Sequence, residues 1–171
     1  MHGSVDFSPF SEPASASLPS LHHFERLLGD HGIVQFSRGA IPDLDSGFCL
    51  DDNARAILVA VAYRRLGSPN PAAKRMGDAA MAFFADASRD APRYRNVMDR
   101  NGRFVDDHAS PEALGRLLWA LGVTSVCADL SSWRSAACRQ LSTFSHAVGG
   151  LTSLHARSYA MLGLAALVDP H

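Results

Sequence analysis

Four polar residues within a stretch of five could support acid–base chemistry. Asp51, Asp52, Asn53 and Arg55 stand at the predicted start of a strongly apolar helix. Residues three or four positions apart share one helix face, so Asp51 and Arg55 can form a local ion pair. A helix cap with such a pair is the simpler explanation. Because the group is more polar than a cap requires, we favour a site in which Asp51 or Asp52 accepts ligand hydroxyls or acts as general acid or base.

A second carboxylate could come from Asp106, Asp107 or Glu112, which follow a predicted β-hairpin. Glycosidases pair two carboxyl groups, about 5.5 Å apart for retention and roughly 6.5 to 9.5 Å apart for inversion. The spacing in the sequence does not give this distance. Asp106 and Asp107 also fit a solvated turn, and Glu112 also fits a residue that complements the helix dipole.

Arg116 and two aromatic residues are candidate ligand contacts, together with Asn53 and Arg55. Arg116 can orient a carboxylate or donate to a ligand, and a plain surface charge explains it equally well. Tyr94 and Phe104 flank the predicted hairpin, where their aromatic faces could stack on sugar rings. We assign Trp119 to the core.

Composition excludes several classes of function. The chain has 16 basic and 17 acidic residues and no basic patch, so nucleic acid is not an expected partner. It contains no apolar run of the roughly 20 residues that span a membrane. Three cysteines without a paired spacing predict neither disulfides nor a zinc site and favour a reducing, cytoplasmic setting. The sequence indicates no metal and no organic cofactor.

The periodicity predicts an all-α fold of stacked antiparallel α-hairpins with one small β-hairpin. Residues 1–19, rich in Ser, Pro and Ala, are predicted to be a flexible arm before a helical domain at 20–171. Six helices in three pairs are expected, with a loop over 30–49 that contains a short strand-like piece at 33–36. The β-hairpin is placed at 94–107 around an Asn-Gly turn. The helix at 52–66 is apolar all round, which predicts an inner position.

Several segments of the chain resemble one known family. They are HGIVQF at 31–36, GFCLDDNARA at 47–56, YRNVM at 94–98, GRF at 102–104, GRLLWALG at 115–122 and, more weakly, residues 153–164. Together they resemble an (α/α)-toroid domain of bacterial proteins that is similar to six-hairpin glycosidases and is often found beside glycosyltransferase domains. The resemblance covers roughly residues 20–168, about half of a complete toroid.

The resemblance implies a carbohydrate-active domain that binds a saccharide and hydrolyses a glycosidic bond if it is active. It adds His31 as a site candidate and makes Arg116 part of a family-like Gly-Arg pair. The segment before that pair is usually richer in acidic and His residues than it is at 110–114 here, which favours lost activity. The alternative is a non-catalytic saccharide-binding or scaffold domain that completes a toroid by self-association. The expected protein partner is a second copy in a homodimer or a glycosyltransferase. A peptide-binding helical repeat is a weaker third interpretation.

Overall fold

The computed structural model describes residues 18–67, 70–89 and 93–168 of the chain. These residues are 62% helical and also form a four-stranded antiparallel sheet. The predicted all-α class is therefore wrong, because the fold is mixed α/β. Most of the predicted N-terminal arm, residues 1–19, lies outside the described residues.

The sheet comes mainly from residues 30–49, which we predicted to be a loop with a short strand-like piece at 33–36; that piece lies within the observed strand β2. Its strands are β1, Leu28–Gly29; β2, Gly32–Arg38; β3, Ile41–Cys49; and β4, Val97–Met98. They lie in the order β1-β2-β3-β4, and each neighbouring pair is antiparallel. Gly39, with a φ of 61°, lies in the two-residue turn between β2 and β3, where a left-handed backbone favours glycine.

The two halves of the β2–β3 hairpin have different surroundings, which explains why the sequence pattern did not reveal it. Ile33, Val34 and Phe48, near its base, are buried in the core. Phe36 and Ile41, near its tip, are 61% and 68% exposed. Apolar side chains therefore do not mark one buried face along the whole hairpin, and the period-two signal of a strand is lost.

The β-hairpin predicted at 94–107 is present in a shortened form. Met98 forms a bridge with Phe104 across the turn. Met98 also pairs with Phe48 of β3, so this segment supplies the fourth strand of the sheet instead of standing alone.

The described residues contain six α-helices and one 3₁₀ helix. They are α1, His22–Leu27; α2, Leu50–Arg65; α3, Pro71–Ala87; α4, Pro111–Cys127; α5, Ser131–Phe144; the 3₁₀ helix, Ser145–Gly150; and α6, Leu154–Val168. Asn70 and Ser110 accept hydrogen bonds from backbone N–H groups at the starts of α3 and α4, as their sequence position predicts. Helix α4 continues through Gly122 to Cys127.

Helices α2 and α4 run side by side in the same direction. Asp51, near the start of α2, forms an ion pair with Arg116, near the start of α4. Arg64, near the end of α2, forms an ion pair with Asp129, which follows the end of α4. The N-terminal ends of both helices therefore lie together. Helix α3 packs against α2, and α5 packs against α4.

Helix α6 packs on the other side of α4 from α2, so that α2, α4 and α6 form one row of helices. The distance between α4 and α6 is so short that only small residues fit between them. A Cβ atom on Gly115 would lie 2.7 Å from the Cα atom of Ala156. A Cβ atom on Gly122 would lie 2.3 Å from the carbonyl oxygen of Gly163. These contacts advance along both helices together, so α6 is parallel to α4. Among the described helices, none is both long and apolar enough to cross a bilayer.

Candidate functional site

The parallel row brings polar and aromatic side chains from the starts of three helices to one end of the molecule. Asp51 and Arg55 lie on α2, Arg116 and Trp119 on α4, and Tyr159 on α6. We call these five residues the three-helix cluster. The direction of the helices explains the grouping, since each residue lies within the first three turns of its own helix.

Arg116 is the central residue of the three-helix cluster. Its guanidinium donates to Asp51 Oδ2 and, at 3.3 Å, to the Tyr159 hydroxyl. Its Cζ atom also lies 4.8 Å from the centre of the Tyr159 ring, within cation–π range. The Arg116 and Asp51 side chains are only 18% and 24% exposed, so water screens this ion pair less than a pair on the open surface. The structure thus places Arg116 where it orients a carboxylate.

One carboxylate oxygen of Asp51 is left without a protein donor. Asp51 Oδ1 is buried and has no hydrogen-bond partner among the described residues. Arg55 lies beside the same carboxylate, with Nη2 3.5 Å from Oδ2 and half of its side chain exposed. A buried acceptor is normally satisfied, so Asp51 Oδ1 is an unmet acceptor beside the ion pair with Arg116.

Two aromatic side chains complete the cluster. Trp119 stacks on Tyr159 with ring centres 5.7 Å apart and planes 8° from parallel. Both residues are partly exposed, so the assignment of Trp119 to the core is wrong. Trp119 shares a face of α4 with Arg116, three positions earlier, and this spacing was a usable signal. Tyr159 had no comparable signal, because its contacts depend on how α6 packs on α4.

Asp52 lies next to the cluster and has two partners of its own. Its carboxylate pairs with Arg55 at 2.6 Å and accepts from the Cys49 thiol at 3.0 Å. Burial, together with the hydrogen bond to the Asp52 carboxylate, raises the pKa of Cys49 to about 12. The thiol is therefore neutral near pH 7 and is not an activated nucleophile.

Glu112 lies one turn before Arg116 on α4. A hydrogen bond from Ser153 lowers the pKa of Glu112, and the charges of His155 and Arg116 act in the same direction. A general acid must hold its proton near neutral pH, which requires a raised pKa. Glu112 is therefore better suited to accept a hydrogen bond than to act as the acid of a glycosidase.

Asn53 has a structural role instead of the ligand-binding role that we predicted. Its side chain is fully buried, Oδ1 accepts from the Ile33 backbone N–H at 3.2 Å, and Nδ2 donates to the Cys49 carbonyl at 2.9 Å. It therefore joins β2 to the start of α2. The need for an amide comes from this contact between distant segments.

Asp106 also holds the backbone in place. Its carboxylate accepts from the N–H groups of Asn96 and Val97 at 2.7 and 3.0 Å. The Asn96 carbonyl in turn accepts from the Leu50 N–H at 2.9 Å, so this loop lies against the start of α2. Asp107 is exposed. The structure thus gives Asp106 a structural task, which neither the solvated-turn nor the catalytic interpretation of this segment predicted.

The two aromatic residues proposed as stacking platforms lie elsewhere. Tyr94 is 2% exposed, donates to Gln140 at 2.9 Å and packs on Phe144, so its prediction as a sugar platform is wrong. An aromatic residue beside a turn can point inward as readily as outward, and the sequence does not distinguish the two. Phe104 packs edge-on against Phe83 and lies under Arg95, away from the three-helix cluster.

His31 belongs to the contact between β2 and the hairpin turn. Its ring meets Phe48 edge-on at 5.6 Å. Gly102 lies directly beneath it, since a Cβ atom there would be 2.6 Å from the imidazole. The structure shows no contact of His31 with the three-helix cluster among its described interactions.

The three-helix cluster lies outside four open pockets found elsewhere on the described part of the chain. These pockets, of 310 to 600 Å³, are lined by other residues. Within the described ranges, no group of three or more His, Cys, Asp or Glu side chains is placed to hold a metal ion. The chemistry that this surface offers is hydrogen bonding and aromatic stacking.

Comparison with known proteins identifies no relative: no family model, no curated protein and no solved structure matches the chain.

Proposed function

We propose that the three-helix cluster binds a saccharide without hydrolysing it. The observation that carries this proposal is that Arg116 contacts both the Asp51 carboxylate and the Tyr159 ring, on which Trp119 stacks. Aromatic faces pack on the apolar faces of sugar rings. Carboxylate and guanidinium groups supply the acceptors and donors that sugar hydroxyls require. The motifs that resemble a sugar-handling domain support the same class of ligand.

The balance of charge favours an uncharged saccharide. Asp51 and Asp52 are matched by Arg55 and Arg116, which form ion pairs with them. An anionic ligand would meet two carboxylates, and a cationic ligand would meet two guanidinium groups. A neutral sugar can use both kinds of group at once.

Arg55 offers a route for a ligand hydroxyl to reach Asp51. Its side chain is half exposed and its contact with Asp51 is longer, at 3.5 Å, than its contact with Asp52, at 2.6 Å. A hydroxyl that displaces the longer contact can donate to Asp51 while Arg55 keeps its bond to Asp52. The cost is small because exposed ion pairs contribute only about 0 to 1 kcal/mol.

The contacts support binding better than hydrolysis. Hydrolysis needs one carboxyl group to protonate the leaving group and another to attack or to activate water. Asp51 and Asp52 are engaged by arginines, and Asp106 is engaged by backbone N–H groups. Glu112, with its lowered pKa, does not fill the role of the acid.

A thermal-shift screen against neutral mono- and oligosaccharides tests the proposal, because a bound ligand raises the unfolding midpoint by mass action. Isothermal titration then gives the affinity of each hit. We expect Arg116→Met and Trp119→Ala to weaken binding at least about tenfold, as expected for lost charge-assisted hydrogen bonds and stacking. No product should form when the same sugars are incubated with the wild-type protein.

Arg64→Met is a matched control for Arg116→Met. Arg64 is 16% exposed, pairs with Asp129 at 2.6 Å and lies 6.0 Å from the Trp133 ring, so its environment resembles that of Arg116. Arg64 lies near the C-terminal end of α2, whereas the three-helix cluster lies at the N-terminal end of that helix. If both variants weaken sugar binding equally, or if no sugar binds the wild-type protein, the proposal fails.

A further inference from the structure

We propose that the outer face of α6 is a dimerisation surface, and that it packs antiparallel against α6 of a second copy of this chain. This face consists of Leu154, Ser158, Met161, Ala165 and Val168. It is called the α6 outer face below. The proposal concerns a different surface from the three-helix cluster and does not depend on sugar binding.

Helix α6 buries its small residues and exposes its large apolar ones, which is the reverse of what a helix on the surface of a monomer does. Its buried residues are Ala156, Ala160 and Gly163, which lie against α4. Its large apolar residues are exposed: Leu154 80%, Met161 67%, Leu162 48%, Leu164 47%, Leu167 42% and Val168 87%. A surface helix normally buries its large apolar side chains and exposes polar ones. The observed arrangement indicates a second packing partner.

The position of α6 in the fold leads to the same conclusion. It is the last of the described helices in the row α2, α4 and α6, with α4 on one side. Within the described residues the outer side of α6 is uncovered, and an exposed apolar face of this kind usually contacts a partner. The α6 outer face contains one hydroxyl, Ser158, and that hydroxyl donates to the Leu154 carbonyl of its own helix.

The spacing on this face is that of a helix–helix seam. Leu154, Ser158, Met161, Ala165 and Val168 alternate in steps of four and three residues, the repeat that keeps one stripe facing a partner helix. The large residues of the face stand at every seventh position, 154, 161 and 168, and the small residues stand between them at 158 and 165. In an antiparallel pair the two kinds of position face each other, so each large side chain would pack over a small residue of the partner.

A second copy fits the α6 outer face because the face is complementary to itself. A two-fold dimer requires one patch that supplies both the projecting and the receiving groups. A cavity of 310 Å³ lined by apolar residues, including Leu118, Leu141 and Leu164, lies beside the face and can receive a large side chain from the partner.

Charge does not oppose the pairing. Arg157 is the one residue of α6 with a permanent charge, and its Nε donates to the Leu151 carbonyl at 2.7 Å. Two copies of α6 therefore meet without a cluster of like charges. Tyr159 points from the other side of the helix toward Arg116, so the dimer leaves the three-helix cluster open.

Sedimentation or light scattering on the full chain tests the proposal. Wild-type protein at micromolar concentration should have twice the monomer mass of 18.4 kDa. Met161→Glu should weaken the dimer at least about tenfold, since it places a charge in an apolar interface. Ile41→Glu is the matched control, because Ile41 is 68% exposed, against 67% for Met161, and lies at the tip of the β2–β3 hairpin. Circular dichroism should show that both variants stay folded.

A charge-swap experiment tests the two-fold axis itself. In an antiparallel pair the two copies of residue 161 lie within about one helical turn, roughly 5 Å, along the axis. Met161→Glu and Met161→Lys should each be monomeric, and an equimolar mixture should form a dimer. A monomeric wild-type protein, a dimer that survives Met161→Glu, or a dimer that Ile41→Glu dissociates would each overturn the proposal. The proposal also fails if the full chain is monomeric and only a variant that lacks residues 1–17 forms a dimer.

Discussion

Arg116 and Asp51 form an ion pair that joins α4 to α2 across 65 positions of sequence. Arg64 and Asp129, at the opposite ends of the same two helices, are also 65 positions apart. Because both pairs have the same separation, α2 and α4 are parallel. Each residue of α2 lies level with the residue 65 positions later in the chain. The pair at the N-terminal end is the one that also contacts Tyr159, so the same packing that aligns the helices creates the candidate site.

The first prediction concerns the coupling between Asp51 and Arg116. A double-mutant cycle with Asp51→Asn and Arg116→Met should give a coupling free energy of about 1 to 2 kcal/mol, because the pair is largely shielded from water. Urea denaturation measures it. The exposed pair Arg100 and Asp45, whose side chains are 56% and 76% exposed, is the control and should give less than about 0.5 kcal/mol. Equal coupling in both cycles would contradict the structural argument.

The second prediction concerns Asn53. Replacing it with Ala leaves the Ile33 N–H and the Cys49 carbonyl without their partner in the core. The free energy of unfolding should fall by about 2 to 4 kcal/mol, measured by urea denaturation. Asn101→Ala, on an exposed turn, should change it by less than about 0.5 kcal/mol. A ligand-binding role for Asn53 would predict the reverse, with unchanged stability and lost binding.

The third prediction concerns the packing of α6 on α4. In Gly163→Ala the new Cβ atom would lie 2.4 Å from the Leu118 carbonyl oxygen, which belongs to the rigid backbone of α4. The unfolding free energy should fall by about 1 to 3 kcal/mol, and sugar binding should weaken because Tyr159 moves with α6.

Gly149→Ala is the control for this substitution. A Cβ atom at Gly149 has open space around it, so both stability and binding should be retained. If Gly163→Ala is as well tolerated as Gly149→Ala, the helices do not approach each other as closely as described.

The fourth prediction follows from the raised pKa of Cys49. The folded protein keeps this thiol protonated up to about pH 12, whereas an exposed thiol ionises near pH 9.0. Its contribution to stability is therefore complete below pH 9 and decreases as the pH rises toward 12. Above pH 9, unfolding free energies of the wild type should fall more steeply than those of Cys49→Ala, by up to about 1.4 kcal/mol per pH unit. Parallel curves for the two proteins would show that Cys49 is not protected.

Local sequence determined the features that depend on neighbouring residues. Asn70 with Pro71 and Ser110 with Pro111 mark the starts of α3 and α4, because a capping side chain and a proline act within one turn. The ion pair of Arg55 with Asp52 follows in the same way from helical spacing.

The tertiary structure decided everything that depends on two distant segments meeting. Of the β2–β3 hairpin, only the strand-like piece at 33–36 was predicted, because the outer half of the hairpin is exposed and strand patterning reports burial instead of backbone conformation. Asn53 and Tyr94 look like site residues in the sequence, yet both are buried by contacts with other elements. The meeting of Tyr159 with Arg116 requires a close approach of α4 and α6, and no local rule encodes the distance between two helices.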